Sequence, residues 1–199
     1  MPAPYRALVV LLADTGLRIN EALALTRSSL VERADGGMSV CVEHSLHRFG
    51  RHLEAGPTKT AAGVRAVVLM DSTATTMRAH LRTHVAAGPQ AILFPAPSGS
   101  GYARDTALTR LLTAPQDVAG IEIPDGHSGG WHTLRHYSAT RYGQTGATTR
   151  ALMTRYGWSD PAMAARYQRS DEDFEREVVA RMAERQAESL RGVKTGSIT

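Results

Sequence analysis

The sequence predicts an α+β fold that is mostly α: a helical domain carrying a small antiparallel β-sheet. Three observations support it. Only Met38 to Glu43 and Val64 to Leu69 alternate with the period of two that a half-buried strand needs. Most other segments repeat apolar residues every three to four positions, as helices do, and end at glycine or proline. No internal repeat and no linker-like stretch divides the 199 residues, so one sizeable domain is expected, over residues 1–170, followed at 171–199 by a helix and a flexible tail.

Taken in order, Tyr5 to Ala13 is apolar on nearly every side and reads as a buried helix. Gly16 suits a left-handed cap, and Leu17 to Leu25 starts a second helix at once, leaving Arg18 at a tight junction. The two strands are joined by a polar connection containing Gly50, Gly56, Pro57 and Gly63, expected to form long turns with Lys59 at or near the tip of the sheet. Asp71 or Ser72 would cap a helix running to about Ala86. Ile92 to Phe94 is a short buried stretch. A helix from Arg104 to about Val118 and a loop from Gly120 to Gly130 follow. Helical patterns then cover His132–Tyr142, Thr148–Tyr156, Pro161–Tyr167 and Asp173–Ser189.

The composition excludes several classes. The longest apolar run, Ala7 to Ala13, is far below the roughly 18 residues of a membrane helix, and the first residues lack the layout of a signal peptide. A single cysteine, Cys41, cannot form an internal disulfide, and a cytoplasmic location is expected. Cys41, His44, His47 and His52 have no recognised metal spacing. His80 and His84 lack the glutamate of a zinc-protease helix and read as polar surface, so no metal is expected.

Formal net charge is only +4, but it is unevenly distributed. Residues 131–170 hold six basic side chains against one acidic, and residues 171–190 hold three against seven. The basic block suggests an anionic partner. Lysine is scarce, with only Lys59 and Lys194.

Within the basic block, His132 and Arg135 stand three apart on one helical face, and Tyr167 lies nine positions past Trp158. Together with Thr15-Gly-Leu-Arg18-Ile-Asn-Glu21 and Lys59, this ordered set closely resembles the catalytic domain of the tyrosine recombinase (phage integrase) family, over roughly residues 5–170. The resemblance places Arg18, Lys59, His132, Arg135, Trp158 and Tyr167 on the family's catalytic positions. Most members have a histidine where Trp158 stands.

The residue types suit phosphoryl transfer. Two guanidinium groups, Arg18 and Arg135, can grip the charged oxygens of a phosphodiester. A phenol is a poor nucleophile unless a base accepts its proton, a task suited to His132, with His136 orienting the helix or supporting its neighbours. Lys59 can protonate the leaving hydroxyl, and Trp158 can offer an indole N–H. By resemblance, Tyr167 joins a DNA 3′-phosphate with no cofactor. Arg141, Arg150, Arg155, Arg166 and Arg169 are expected to contact the DNA backbone.

Each residue also has a plainer reading: Arg18 paired with Glu21 or Asp14, Tyr167 and Trp158 as packing residues, Lys59 as a solvated turn. The resemblance implies double-stranded DNA as partner and a homo-tetramer joined through the acidic helix, whose stripe of Phe174, Val178, Val179 and Met182 could equally pack on its own domain. It also implies that a first helix and an N-terminal DNA-gripping domain are absent from this chain, as a fragment or as a shortened gene product. A catalytically silent DNA-binding remnant and a type IB topoisomerase are the competing readings.

Overall fold

The computed structural model describes residues 2–50, 52–99, 101–118, 129–168 and 171–194. In chain order the elements are α1 (Ala3–Thr15), α2 (Ile19–Leu23), β1 (Leu30–Glu32), β2 (Met38–Val42), β3 (His44–Phe49), β4 (His52–Pro57), β5 (Arg65–Val68), α3 (Asp71–Thr83), α4 (Asp105–Val118), α5 (Trp131–Gln144), α6 (Thr149–Tyr156), α7 (Pro161–Ala165) and α8 (Glu172–Lys194). The mostly helical α+β expectation holds. No described helix is long and apolar enough to cross a membrane.

Helix α1 buries Leu8, Leu11 and Leu12 completely, packs on α3 and α5, and leaves Val10 on its outer side. It stops at Gly16, whose φ of +62° and N–H bond to the Leu12 carbonyl form a left-handed cap. A Cβ there would lie 2.4 Å from the Tyr156 ring, so the glycine is required by space as well as by conformation. The Asp14 carboxylate at the end of α1 takes the Arg155 guanidinium at 2.8 Å and the Met70 N–H at 2.8 Å, binding α1 to α6 and to the end of β5.

Strands β1, β2 and β5 form one antiparallel sheet in the order β1-β2-β5, with Val40 and Val67 facing each other in the core. The expected long turns are instead two further strands: β3 and β4 pair from His44–Pro57 to Phe49–His52 as a separate hairpin. The hairpin's tip is at Gly50, and Lys59 follows the end of β4, so it sits at the hairpin's base and not at a tip. This brings the lysine back toward α2.

Helix α3 begins at Asp71 with Met70 at the cap position, so neither Asp71 nor Ser72 caps it. Its C-terminal end is closed from outside, where Arg27 donates to the carbonyls of Leu81, Val85 and Ala86. His80 corrects a second expectation, because it is 3% exposed, bonds the Leu93 carbonyl through Nε2 at 2.8 Å and stacks on Phe94. His84 is exposed, as expected. Most of the expected loop between α4 and α5 lies outside the described residues.

Two apolar clusters result. The larger spans α1, α2, β2, α3 and α4; the smaller consists of Ala139, Leu152, Tyr156, Trp158 and Ala164, with Tyr167 packed on its edge. On α8, Phe174 and Val178 are half-buried, while Val179 and Met182 are exposed.

Candidate active site

Two adjoining cavities, of about 520 Å³ and 270 Å³, share Arg18, Thr60, His132 and Arg135 in their walls. Lys59 lines the larger, and Trp158 and Tyr167 line the smaller. All six residues singled out from the sequence therefore meet in one depression, although they span positions 18 to 167 and come from five separate segments.

Arg18 owes its position to the α1–α2 junction. Glu21, three residues on, accepts from the Arg18 backbone N–H and from Nη1, both at 2.9 Å, which starts α2 and fixes the guanidinium. The arginine side chain is nevertheless 49% exposed toward the cavity. The same carboxylate receives Arg65 Nη2 at 2.8 Å. Burial alone would push the Glu21 carboxyl up, but hydrogen bonds and charge from Arg65, then from Arg18, hold it below the ordinary carboxylate range.

Arg135 is 4% exposed and bridges the two halves of the domain. Its Nη1 donates to the Gly16 carbonyl at 2.6 Å and its Nη2 to the Tyr156 carbonyl at 2.5 Å, while the guanidinium carbon lies 5.5 Å from the ring centres of Tyr156 and Trp158. Burial and then the charge of Arg18 pull its pKa down to about 10, with Glu21 opposing, so it is a cation at neutral pH. Two carbonyls occupy only part of its five N–H donors.

His132 is exposed at the cavity mouth. Burial, then the neighbouring His136, Arg135 and Arg18, lower its pKa, which favours the neutral ring. Among the described residues no hydrogen bond joins His132 to the Tyr167 phenol. The Tyr167 hydroxyl instead lies 2.5 Å from Nδ1 of His136, whose ring meets that of His132 edge-on at 4.6 Å. From the sequence His136 is expected only in a supporting place; its spacing of one helical turn from His132 is the signal that points to it.

Tyr167 is half-buried, and burial pushes its phenol pKa up against the opposing charges of Arg135 and Arg166. Trp158 stacks on it at 5.2 Å with an interplanar angle of 13°, and on Tyr156 at 4.9 Å. The backbone of Tyr167 crosses α5 at Gly143, where a Cβ would fall 1.9 Å from the Tyr167 carbonyl oxygen. A glycine is the one residue that lets this segment lie against the helix.

The five arginines expected to contact a DNA backbone divide. Arg141, Arg150 and Arg166 are exposed, with Arg141 donating to the Tyr137 hydroxyl at 2.9 Å. Arg155 is turned inward: it is 14% exposed and bonds Asp14 and the Val68 carbonyl, so the structure gives it an internal partner set in place of a surface one. Arg169 lies outside the described residues.

The fold is that of tyrosine recombinase catalytic domains. The chain is similar to the Tn1549 transposon integrase in complex with transposon right end DNA, with a TM-score of 0.72 at 20% identity, covering 90% of this chain and 59% of that one. It is also similar to the XerH site-specific recombinase bound to its difH substrate, with a TM-score of 0.63 at 22% identity, covering 90% and 48%. A profile of the Phage integrase family matches residues 1–173. An integrase of Mycobacterium phage FRAT1 is 34% identical over 182 residues, covering 90% of this chain and 53% of the relative, and that of Mycobacterium phage D29 is 34% identical, covering 90% and 47%. The chain spans about half the length of these curated relatives, and it belongs to the phage integrase family.

Proposed function

We propose that the chain is the catalytic part of a site-specific recombinase that breaks and rejoins double-stranded DNA through a phosphodiester between Tyr167 and a 3′-phosphate. The observation that carries this reading is the convergence of two arginines, a lysine, two histidines and a tyrosine on one depression. Arg18 and Arg135 hold the phosphate oxygens, and their charge favours the pentacoordinate state, in which that charge is greatest. Lys59, lining the larger cavity while Tyr167 lines the smaller, gives its proton to the departing deoxyribose oxygen. His132, neutral beside two guanidiniums, hydrogen-bonds a phosphoryl oxygen. Trp158 fixes the plane of the Tyr167 ring by stacking. The bond energy stays in the tyrosyl phosphodiester, so rejoining needs no ATP, and the roles assigned use side chains alone.

Arg141, Arg150 and Arg166 are proposed to contact DNA phosphates, which makes binding strongly salt-dependent. The exposed apolar positions Val179 and Met182 of α8 support docking on another copy of the chain in a DNA-bound tetramer.

The test uses a pool of nicked duplexes of randomised sequence, from which protein-linked DNA is captured and sequenced. An adduct at one enriched sequence, lost in Tyr167→Phe, is expected. DNA bound but never joined would support a silent DNA-binding remnant, and sequence-independent plasmid relaxation would support a topoisomerase.

A further inference from the structure

Cleavage requires the Tyr167 phenol to lose a proton, and burial makes that loss harder than in water. A neutral phenol carries an O–H that needs an acceptor. Among the described residues the only hydrogen bond of that hydroxyl is with Nδ1 of His136, at 2.5 Å. His132 makes no such contact; its ring meets the edge of His136 at the cavity mouth, near Arg18 and Arg135.

The rest of the site holds this pair in place. His136 is half-buried on α5, one turn beyond His132. Tyr167 is pinned by Trp158 on one ring face and by the crossing at Gly143 behind its backbone. The charged and titratable groups around the pair are His132 and Arg135 from α5, Arg18 from the α2 junction, Asp160 ahead of α7 and Arg166 at its end. The arginines favour a phenolate once it forms.

We propose that His136, and not His132, is the catalytic base for Tyr167: its Nδ1 accepts the phenol proton as the oxygen attacks phosphorus, and returns it when the strand is rejoined. This rests on the recombinase reading above. The Tyr167 O–H bond breaks and the proton passes to Nδ1, giving an imidazolium. The phenolate oxygen bonds phosphorus, the bond from phosphorus to the 5′ oxygen breaks, and that oxygen takes a proton from Lys59. His132 is left to hydrogen-bond the phosphate.

The rate of adduct formation on a nicked duplex recovered from the randomised pool reads the assignment. His136→Gln should slow it by about 10²–10⁴-fold, the usual contribution of a positioned base. His136→Asn should be as slow, because an amide oxygen can accept the hydrogen bond but cannot carry a proton away. Difluorotyrosine at position 167, a more acidic phenol, should restore most of the loss in either variant and little of the loss in Arg18→Ala. A near-normal rate in His136→Asn, or fluorotyrosine rescue of His132→Gln in place of His136→Gln, would overturn the proposal.

An unaltered chain that forms no adduct would instead overturn the recombinase reading. The nitrogen spectrum of the free protein still decides the pair in that case: an unprotonated Nδ1 at His136, perturbed by Tyr167→Phe, is expected, and an Nδ1 that carries the hydrogen sinks the assignment.

Discussion

Glu21 and Arg65 form a buried ion pair, Nη2 to Oε2 2.8 Å, with both side chains 3% exposed, and the same carboxylate orients Arg18. Arg18, proposed to grip the phosphate, is thus aimed by a glutamate that is anchored from the sheet.

Arg65→Met should show the strength of that anchor. It leaves the Glu21 carboxylate with Arg18 alone in a site built for two cations, and breaking a buried pair in this way costs about 3–5 kcal/mol. Urea denaturation of the variant should show a correspondingly lower midpoint. A change below 1 kcal/mol, on the order of a surface pair, would mean that the pair is not buried in solution.

Stability should also depend on pH in two windows. The carboxyl of Glu21 has its pKa lowered on folding, so its contribution is complete above the unfolded carboxylate value of about 4.3 and is lost as pH falls through the lower folded one. His80 is likewise lowered, first by burial, with the bond to Leu93 opposing; its contribution is complete above the unfolded value of about 6.5 and declines below it. Denaturation midpoints between pH 7 and pH 5 should therefore fall, and His80→Phe should flatten that slope. His132, also lowered, retains a slope of the same sign in the same range. An unchanged slope in His80→Phe would show that the buried ring is not its source.

Gly143→Ala should displace Tyr167, the proposed nucleophile. A methyl group 1.9 Å from the Tyr167 carbonyl must push that segment away, while α5 itself gains helix propensity of about 1 kcal/mol. Circular dichroism should show an intact helix content, and adduct formation should fall by at least tenfold, on the order expected when a reacting group moves by about 1 Å. Activity equal to the unaltered chain would show that the Tyr167 segment does not need this crossing.

Arg150 and Arg155 should behave differently although both belong to α6. Arg150→Gln should reduce the slope of log affinity against log salt by about one with no effect on folding. Arg155→Gln should leave that slope unchanged and lower stability, since Asp14, 2% exposed, loses its partner. An unchanged slope in Arg150→Gln would take that arginine off the DNA, and a reduced slope in Arg155→Gln would place the second one on it.

Much of this was legible in the sequence. The Gly16 cap, the α1–α2 junction and the α5 to α7 boundaries followed from apolar periodicity and glycine placement, because those segments bury one face each. The β3–β4 hairpin did not, since of its strand residues only Leu46 is buried, and on the same face of β3 His44 and Arg48 stand where apolar side chains would mark a strand. His80 was misplaced because its spacing from His84 was weighed for metal binding, when Thr73, Ala74, Met77 and His80 already form a buried helical stripe. At the site, the ordered motif identified which residues converge, but not which histidine meets Tyr167. His132 and His136 lie one turn apart, and only the packing of the α7 segment decides between them.

The bonds from Arg135 to Gly16 and Tyr156 bear on how decayed relatives should be read. An arginine that staples two halves of a domain is retained by selection on folding even after selection on catalysis has ended. Its presence in a degenerate gene is poor evidence of an active product. Lys59 is exposed and bridges no two elements among the described residues, so folding places little constraint on it beyond its proposed part in strand cleavage. Among relatives that keep this arginine, survival of a lysine at the position of Lys59 would be the better mark of an active enzyme.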